Sequence, residues 1–343
     1  MLQRILVPLD GSSRAEQALP IAARIAHTTG GSVVLLRVAN IPTEYTFSLY
    51  SSYLSQTPFF ADDILEIELE KAQQYLAIIA ESETLKGIQT EITTSTGAAA
   101  QTILDVAEKE HIDLVVICSH GETGFKRWVL GSVAQKVTRH SLVPVLVLRE
   151  DGPEPVGLHL DAAHPLRALV TLDGSSLAEY AIVPAAYLVA SLTAPAQGSL
   201  HLAQVVNLPA APSEDESARH NSDIREQAER KAATYLSKLA DALKSELEPV
   251  LGLEITWSVV ASEDVADALI SMAELGEGTG SFEIKGCDLI AIATHGRGGL
   301  QRWMLGSITE RVLDGTKLPL LIVRPQEQQS RQAPASSPSA EGE

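Results

Sequence analysis

One glycine-rich segment occurs twice in the chain, and its residue types suit the binding of a phosphate. Residues 119–132 read SHGETGFKRWVLGS and residues 294–307 read THGRGGLQRWMLGS, so nine residues separate His-Gly from Gly-Ser in both copies. An apolar run precedes each copy and an amphipathic helical pattern follows it. Glycines between a strand and a helix let the backbone approach an anion, and the N–H groups at the helix start can bind it. The sequence therefore predicts a nucleotide site, twice.

The repetition extends well beyond that segment. Residues 4–13 return as residues 167–176, and residues 141–149 return as residues 316–324, in the same order along the chain. Each half is therefore a complete module of about the size of a single domain. A repeat this long indicates duplicated domains, because the units of a solenoid are only a few tens of residues long.

Composition marks the limits of the two modules. A linker is expected at residues 150–165, which prolines interrupt, and a disordered tail is expected at residues 326–343, which are rich in Gln, Ser, Pro and Ala. The first domain is then predicted at residues 1–149 and the second at residues 166–325.

Both halves alternate short apolar runs with helical patterns. The run from Leu114 to Ile117 is apolar throughout, which is typical of a strand buried on both faces of a parallel sheet. The pattern predicts an α/β fold of two tandem, doubly wound domains, each a five-stranded parallel sheet in the Rossmann-like order 3-2-1-4-5. In the first half we expect strands at residues 5–9, 32–38, 88–93, 114–117 and 143–148, and helices at residues 13–27 and 63–83, from residue 98 and after residue 131.

The two halves differ where loops are expected. Residues 42–60 of the first half correspond to the Pro/Ala/Glu-rich residues 209–221 of the second. Residues 276–281, which read GEGTGS, are an insertion of the second half. We expect these segments to be loops.

The charge of the chain excludes several classes of partner. Its formal net charge of −18 argues against nucleic acid, because phosphate backbones are held by clustered Lys and Arg. The same charge argues against an anionic membrane surface, and no apolar run is expected to reach the length of a membrane span. Cys118 and Cys287 cannot form a disulfide framework, which suits a reducing compartment. With Met1 leading directly into a strand, we expect a cytoplasmic protein.

Asp10 and Asp173 are expected at the carboxyl end of the first strand of their halves. In an open parallel sheet, ligands bind at the carboxyl ends of the strands where the winding order reverses. If the first and fourth strands are neighbours there, each aspartate and its glycine-rich loop face one crevice. Phosphates would then bind backbone N–H groups at the Gly-Ser pairs 131–132 and 306–307, and each serine hydroxyl would add one bond. The alternative is that these glycines only shape turns and helix starts.

With these motifs, both halves resemble domains of the universal stress protein family, named for the bacterial UspA protein. The resemblance covers the chain apart from the linker and the tail. ATP-binding members share the pattern Gly-x2-Gly-x9-Gly-(Ser/Thr), and this chain keeps the second and third glycines in each half. At the first glycine position it departs from the pattern, with Cys118 in the first half and Ala293 in the second.

The resemblance implies a ligand and two sites for it. The ligand would be an adenine nucleotide, with ATP expected and any Mg²⁺ arriving with the phosphates. Main-chain groups at Val38 and Val205 would contact adenine, and no resident metal is implied. The predicted site of the first half comprises Pro8, Leu9, Asp10, Val38, Cys118, Ser119, Gly121, Gly131, Ser132 and Val133. That of the second half comprises Thr171, Leu172, Asp173, Val205, Ala293, Thr294, Gly296, Arg297, Gly306, Ser307 and Ile308.

The second loop is nearer to the family pattern than the first. Glu122 of the first loop stands where the second loop has Arg297, and this places charges of opposite sign near the phosphates. We therefore expect tighter binding in the second half, by a margin that salt reduces.

Three other residue types are duplicated in these loops: Arg127 and Arg302, Trp128 and Trp303, and His120 and His295. The arginines either reach a phosphate or face solvent. The tryptophans are expected to pack in the core and not to stack on a base. The histidines have no carboxylate or serine partner at triad-like positions, so no catalytic role is expected for them.

These observations favour a nucleotide-binding sensor or regulator that acts through nucleotide-dependent conformational change or partner binding. An efficient enzyme is not expected, because the sequence has no P-loop lysine and no positioned general base. Two alternatives stay open: a slow ATP hydrolase, and an interaction protein whose nucleotide sites are degenerate.

The final strand of each half is expected at a sheet edge. Residues 142–148 and 318–323 are apolar, and each segment contains a proline near its start. A bare apolar edge tends to pair with another strand. Universal stress protein domains resemble one another in dimerising through this strand. We predict that the two halves pair through these strands within one chain, and that any homodimer uses other surfaces.

Overall fold

A computed structural model describes residues 2–40, 61–119, 130–149, 165–207, 215–279, 282–284, 286–294 and 305–325. The strands of the first half are β1 (Arg4–Pro8), β2 (Ser32–Ala39), β3 (Gln89–Thr96), β4 (Leu114–Cys118) and β5 (Val145–Leu148). Its helices are α1 (Ser13–Glu16), α2 (Ala18–Thr29), α3 (Ala61–Ala80), α4 (Ala99–Lys109) and α5 (Ser132–His140), and a 3₁₀ turn lies at Glu83–Leu85.

The second half repeats this succession of elements. Its strands are β6 (Arg167–Leu172), β7 (Ser199–Asn207), β8 (Glu254–Ser262), β9 (Glu277–Thr279), β10 (Phe282–Ile284), β11 (Leu289–Ala293) and β12 (Leu320–Val323). Its helices are α6 (Ser176–Glu179), α7 (Ile182–Thr193), α8 (Asp215–Leu251), α9 (Val265–Leu275) and α10 (Ser307–Gly315). The predicted α/β class is therefore correct for both halves.

One sheet of ten strands runs through both halves, in the order β3-β2-β1-β4-β5-β12-β11-β6-β7-β8. Each half contributes five mutually parallel strands in the predicted order 3-2-1-4-5. The halves join where β5 and β12 pair antiparallel, with Leu146 opposite Leu321. The predicted pairing of the two final strands within one chain is thus confirmed.

The core consists of one apolar layer on each face of this sheet. Alternate residues of a strand point to opposite faces, so Ile5 joins one layer and Leu6 joins the other. Helices α2, α3, α7 and α8 cover the first face, and α4, α5, α9 and α10 cover the second. The central strands β4 and β11 are buried along their whole length, as a sheet covered on both faces requires.

Two expectations about the loops of the second half are wrong in detail. Helix α8 already begins at Asp215, so the last residues of the segment 209–221 are helical. The insertion at residues 276–281 contributes β9, which pairs antiparallel with β10. The start of α8, residues 215–222 (DESARHNS), is polar, which makes its sequence compatible with a loop as well as with a helix. Residues 42–60 lie outside the described residues.

One described segment, Ser176–Thr193, is long and apolar enough to span a membrane by length and composition. The expectation that no run reaches that length is therefore wrong for this window. The segment is divided into α6 and α7, and 56% of it is buried inside the protein. Ala185, Leu188 and Val189 are fully buried, so its apolar character is explained by packing against the sheet.

Candidate functional site

The first and fourth strands of each half are neighbours, as the predicted site requires. In the first half Leu6 of β1 pairs with Val115 of β4, and in the second half Leu169 of β6 pairs with Ile290 of β11. Because parallel neighbours end at the same edge of the sheet, the turn after β1 and the loop after β4 lie side by side. The winding order reverses between these two strands, which is where open α/β sheets bind ligands.

The turn after β1 is held by the side chain of Asp10. Its Oδ1 accepts hydrogen bonds from the backbone N–H of Ser12 at 3.0 Å and from the Ser12 hydroxyl at 2.6 Å. The Ser12 oxygen in turn accepts from the N–H of Ala15 at 3.2 Å and so caps α1. Gly11 has a φ of 88°, a conformation that L side chains rarely adopt. Asp10 thus has a structural role at the candidate site.

The second half reproduces this turn. Asp173 Oδ1 accepts from the N–H of Ser175 at 2.9 Å and from its hydroxyl at 2.6 Å, and the Ser175 oxygen accepts from Ala178 N–H at 3.3 Å. Gly174 has a φ of 79°. Since both halves keep the same bonds, the Asp-Gly-Ser repeat of the sequence encodes a turn of defined geometry.

The glycines of the two Gly-Ser pairs are N-caps of α5 and α10. Gly131 donates its N–H to the carbonyl of Ser119 at 2.7 Å, and Gly306 donates to the carbonyl of Thr294 at 2.9 Å. The N–H groups of the two glycines are thus already bonded to the residue that follows the fourth strand, which leaves those of Ser132 and Ser307 in the predicted Gly-Ser pairs as phosphate donors. A Cβ at Gly306 would lie 3.0 Å from the Thr294 oxygen, so a close approach of backbone to backbone explains glycine there.

The N–H groups that follow these glycines remain as candidate donors. The first intrahelical bond of α5 runs from Gln135 to Gly131, and that of α10 runs from Glu310 to Gly306, both at 2.9 Å. Neither glycine supplies a side-chain cap. No described residue accepts a hydrogen bond from the N–H groups of the first turns: Ser132, Val133 and Ala134 in α5, and Ser307, Ile308 and Thr309 in α10. Such a turn has the geometry and the dipole to bind an anion.

The first-turn serines are exposed, whereas most other predicted site residues lie deeper. Ser132 and Ser307 are exposed, and Val133 and Ile308 are half-buried beside them. Half-buried Val38 and Val205 lie near the carboxyl ends of β2 and β7, on the same face of the sheet as α5 and α10. Pro8 ends β1 and is half-buried. The other described members of the two predicted sites are buried: Leu9, Cys118 and Ser119 in the first half, and Thr171, Leu172, Ala293 and Thr294 in the second.

The residues at the first glycine position of the family pattern point into the protein. Cys118 is buried, and its Sγ lies 4.0 Å from the carbonyl oxygen of Ala15 in α1. Ala293 is buried in the same apolar layer of the second half. Because these side chains pack beneath the turn after the first strand, neither occupies the space above the helix start.

Several predicted residues lie outside the described residues. They include the site residues Gly121, Gly296 and Arg297, together with Glu122 and the duplicated histidines, arginines and tryptophans of the loops. Their roles remain predictions, and so does the tighter binding expected in the second half.

The structure adds one cluster per half that the sequence did not indicate. In the first half the Tyr75 hydroxyl donates to Glu16 Oε1 at 2.7 Å, and the Arg37 guanidinium lies 4.7 Å from the centre of the Tyr75 ring. Burial, and then the hydrogen bond to Glu16, raise the pKa of Tyr75 above its ordinary range. The guanidinium also packs against Gly11, so a cation borders the turn that Asp10 forms.

The cluster of the second half lacks that cation. The Tyr235 hydroxyl donates to Glu179 Oε1 at 2.7 Å, but Gln204 stands where the first half has Arg37. Gln204 is 7% exposed, and its Oε1 has no hydrogen-bond partner among the described residues. Residues 35–40 (LLRVAN) return as residues 202–207 (LAQVVN), and this repeat contains the Arg-to-Gln change. Only the fold shows that Arg37 packs against the turn at Gly11.

Comparisons with known proteins identify the family that both halves resemble. A model of the universal stress protein family matches residues 1–149 and 166–324. Universal stress protein YxiE of Bacillus subtilis (strain 168) is 31% identical over 149 residues, which is 43% of this chain and 100% of that protein. A universal stress protein of Mycolicibacterium smegmatis is 25% identical over 326 residues, covering 94% of this chain and 97% of its own. A crystal structure of a universal stress protein from Archaeoglobus fulgidus DSM 4304 covers 94% of this chain and 97% of that chain, with 20% identity and a TM-score of 0.60.

Proposed function

Because the chain belongs to the universal stress protein family, we propose that each half binds an adenine nucleotide, namely ATP. The nucleotide would lie in the crevice between the Asp-Gly-Ser turn of that half and the start of its helix α5 or α10. The observation that carries this proposal is the duplicated helix start, where three N–H groups without a described acceptor stand beside an exposed serine. A single helix start of this kind would be weak support. The same helix start occurs in both halves, each time after the strand that neighbours the strand of an Asp-Gly-Ser turn, and this recurrence is much stronger support.

The geometry fits phosphates in particular. Three backbone N–H groups and a hydroxyl converge at the positive end of a helix dipole, which is a donor set for a multiply charged oxyanion. The carboxylate side of the crevice, at Asp10 or Asp173, suits hydroxyl groups of a ribose, which can donate to it. Any Mg²⁺ would be held by the phosphates and by water.

The burial of Cys118 and Ala293 supports the same proposal. These residues depart from the first glycine of the family pattern, which would favour a degenerate site if their side chains filled the crevice. Both side chains lie in the apolar layer beneath the turn after the first strand. The departure is therefore compatible with a ligand above the helix start.

We propose a sensing or regulatory role in the cytoplasm, in which the bound nucleotide alters the conformation of the protein or its binding to a partner. The proposal of a regulator, and not of an efficient enzyme, rests on the sequence, which lacks the lysine and the positioned base that fast phosphoryl transfer uses. Slow hydrolysis of the bound ATP would be compatible with the same site.

Calorimetric titration with MgATP tests the proposal. The wild-type chain should bind two equivalents, and Ser132→Glu and Ser307→Glu should each bind one. A first-turn carboxylate stabilises a helix through its dipole, so these variants should fold while repelling phosphate. Gly131→Gln and Gly306→Gln should also lose one site each, but a side chain at residue 306 also meets the Thr294 carbonyl.

Ser245→Glu is the matched control, since this serine is exposed on α8, which covers the opposite face of the sheet from α5 and α10. It should bind two equivalents. Binding by the Ser132 and Ser307 variants that equals wild type, or no binding by the wild-type chain, would contradict the proposal.

A further inference from the structure

Helix α10 carries a carboxylate close to the candidate phosphate donors. Glu310 lies in its first turn, directly after Ser307, Ile308 and Thr309. The Cα–Cβ bond of a helical residue leans toward the N-terminus, so Glu310 lies within about one turn of the candidate donors. It stabilises the empty helix through the dipole, but it repels a phosphate that binds there.

The first half supplies the cation that pairs with this carboxylate. Arg139 lies in the last turn of α5, and its Nη2 bonds Glu310 Oε1 across the join between the two halves. The side chains of Arg139 and Glu310 are 36% and 43% exposed, so this ion pair is partly in contact with solvent. The charge beside the second site is thus balanced by a residue of the other domain.

The reciprocal arrangement is absent from the described part of the first half. Residue by residue, α5 has Gln135 where α10 has Glu310, and α10 has Asp314 where α5 has Arg139. Burial, and then repulsion by Glu310, raise the pKa of Asp314, and the charges of Arg149 and Arg139 oppose the rise, so Arg139 acts on both carboxylates of α10. In the described part of the chain, the second helix start alone has a carboxylate that pairs with a cation of the other half.

We propose that Arg139 is a positioning residue for the nucleotide site of the second half: by neutralising Glu310 across the domain join, it sets the affinity of that site for phosphate. This rests on the proposed function. It makes the second site dependent on the first domain, because a chain without α5 would leave Glu310 unpaired beside the ligand.

The expected effect is moderate. A unit charge within about 10 Å of a bound triphosphate, partly screened by solvent and salt, changes affinity by about three- to ten-fold. Arg139→Gln should weaken ATP binding at the second site by this factor. Glu310→Gln should leave the affinity equal to wild type or raise it, and the double variant should return to within about two-fold of wild type.

The experiment is a double-mutant cycle in the full chain with Ser132→Glu present, so that MgATP titrates the second site alone. Arg24→Gln is the matched control. Arg24 also bonds across the halves, to the carbonyl of Ala194, but it lies on α2, on the other face of the sheet. A loss caused by loosening of the domain join would appear in this control too, whereas an electrostatic loss would appear only in Arg139→Gln and would shrink in about 0.5 M salt.

Weaker binding in Arg139→Gln that Glu310→Gln reverses would establish the proposal. Equal affinities of Arg139→Gln and its parent, or a double variant as weak as Arg139→Gln alone, would overturn it while leaving the proposed function intact. A parent that binds no ATP would overturn both.

Discussion

His201 should make the stability of this protein depend on pH. It lies in β7 and is only 2% exposed. Its Nδ1 is 2.8 Å from the Thr256 hydroxyl and its Nε2 is 2.9 Å from the Ser258 hydroxyl, both on the edge strand β8. Arg167 contacts the same Thr256 at 3.5 Å and brings a positive charge near the ring. A neutral imidazole satisfies this site, whereas an imidazolium would be a buried cation close to the half-buried Arg167.

Burial, and then the charge of Arg167, lower the pKa of His201 from its ordinary value of 6.5 to about 4. The unfolded chain therefore takes up a proton near pH 6.5, whereas the folded protein does so only near pH 4. Between these values the unfolded state holds more protons, so the free energy of unfolding falls as the pH falls. The loss attributable to His201 is about 2 kcal/mol between pH 7 and pH 5, and about 3 kcal/mol in full below pH 4.

His201→Val is the sharpest perturbation, because the first half shows that valine fits there. Val34 pairs with Leu6 as His201 pairs with the equivalent Leu169. The variant leaves two hydroxyls without the ring, which costs stability equally at every pH. Urea unfolding of the variant and of wild type at pH 7, 6 and 5 separates this constant cost from the pH-dependent term. The wild-type protein should lose about 2 kcal/mol more than the variant over this interval.

The exposed His27 provides the control, since His27→Gln removes a histidine without removing a buried one. This variant should keep the wild-type dependence on pH. The reasoning is refuted if His201→Val and wild type lose stability in parallel between pH 7 and pH 5. It is also refuted if an NMR titration of the His201 ring finds a pKa near 6.5.

Three further results are expected. Ser12→Ala and Ser175→Ala should each cost about 1 kcal/mol of unfolding free energy in urea, because each removes an N-cap and the partner of an aspartate; a cost below about 0.3 kcal/mol would show that the turns do not depend on them. Leu321→Ala, at the join between β12 and β5, should cost about 2–5 kcal/mol because this side chain is fully buried, and a surface-like cost would contradict a continuous sheet. In the intact chain at low salt, MgATP should bind more tightly to the second site than to the first, because Arg297 replaces Glu122; equal affinities in Ser132→Glu and Ser307→Glu would contradict this.

Much of the fold was predictable from the sequence, because it depends on patterns that are local and repeated. Continuous apolar runs such as β4 indicate strands covered on both faces, and their alternation with helices leaves few topologies. The order 3-2-1-4-5 and the pairing of the final strands follow from the same pattern together with the family resemblance. The start of α8 at Asp215 was not predictable in this way, because its first residues, DESARHNS, carry little apolar signal.

The candidate site, like the fold, was only partly predictable from the sequence. The Asp-Gly-Ser and Gly-Ser repeats by themselves identified which turns and helix starts meet at the switch point. Only the tertiary structure showed that the Gly131 and Gly306 N–H groups already bond the ends of β4 and β11. A motif specifies the backbone conformation of a few residues, but the acceptor of a hydrogen bond is decided by whatever the fold places within about 3 Å.

The amino-acid sequence alone shows that two similar domains with two similar candidate sites lie in this chain. The differences between those candidate sites depend on the fold, since they arise from side chains far apart in sequence. Arg37 packs against the turn of the first half, Gln204 takes its place in the second half, and Arg139 pairs with Glu310 across the domain join. Electrostatic energy depends on distance in space, and distance along the chain says nothing of it until the strands are ordered and the halves are joined.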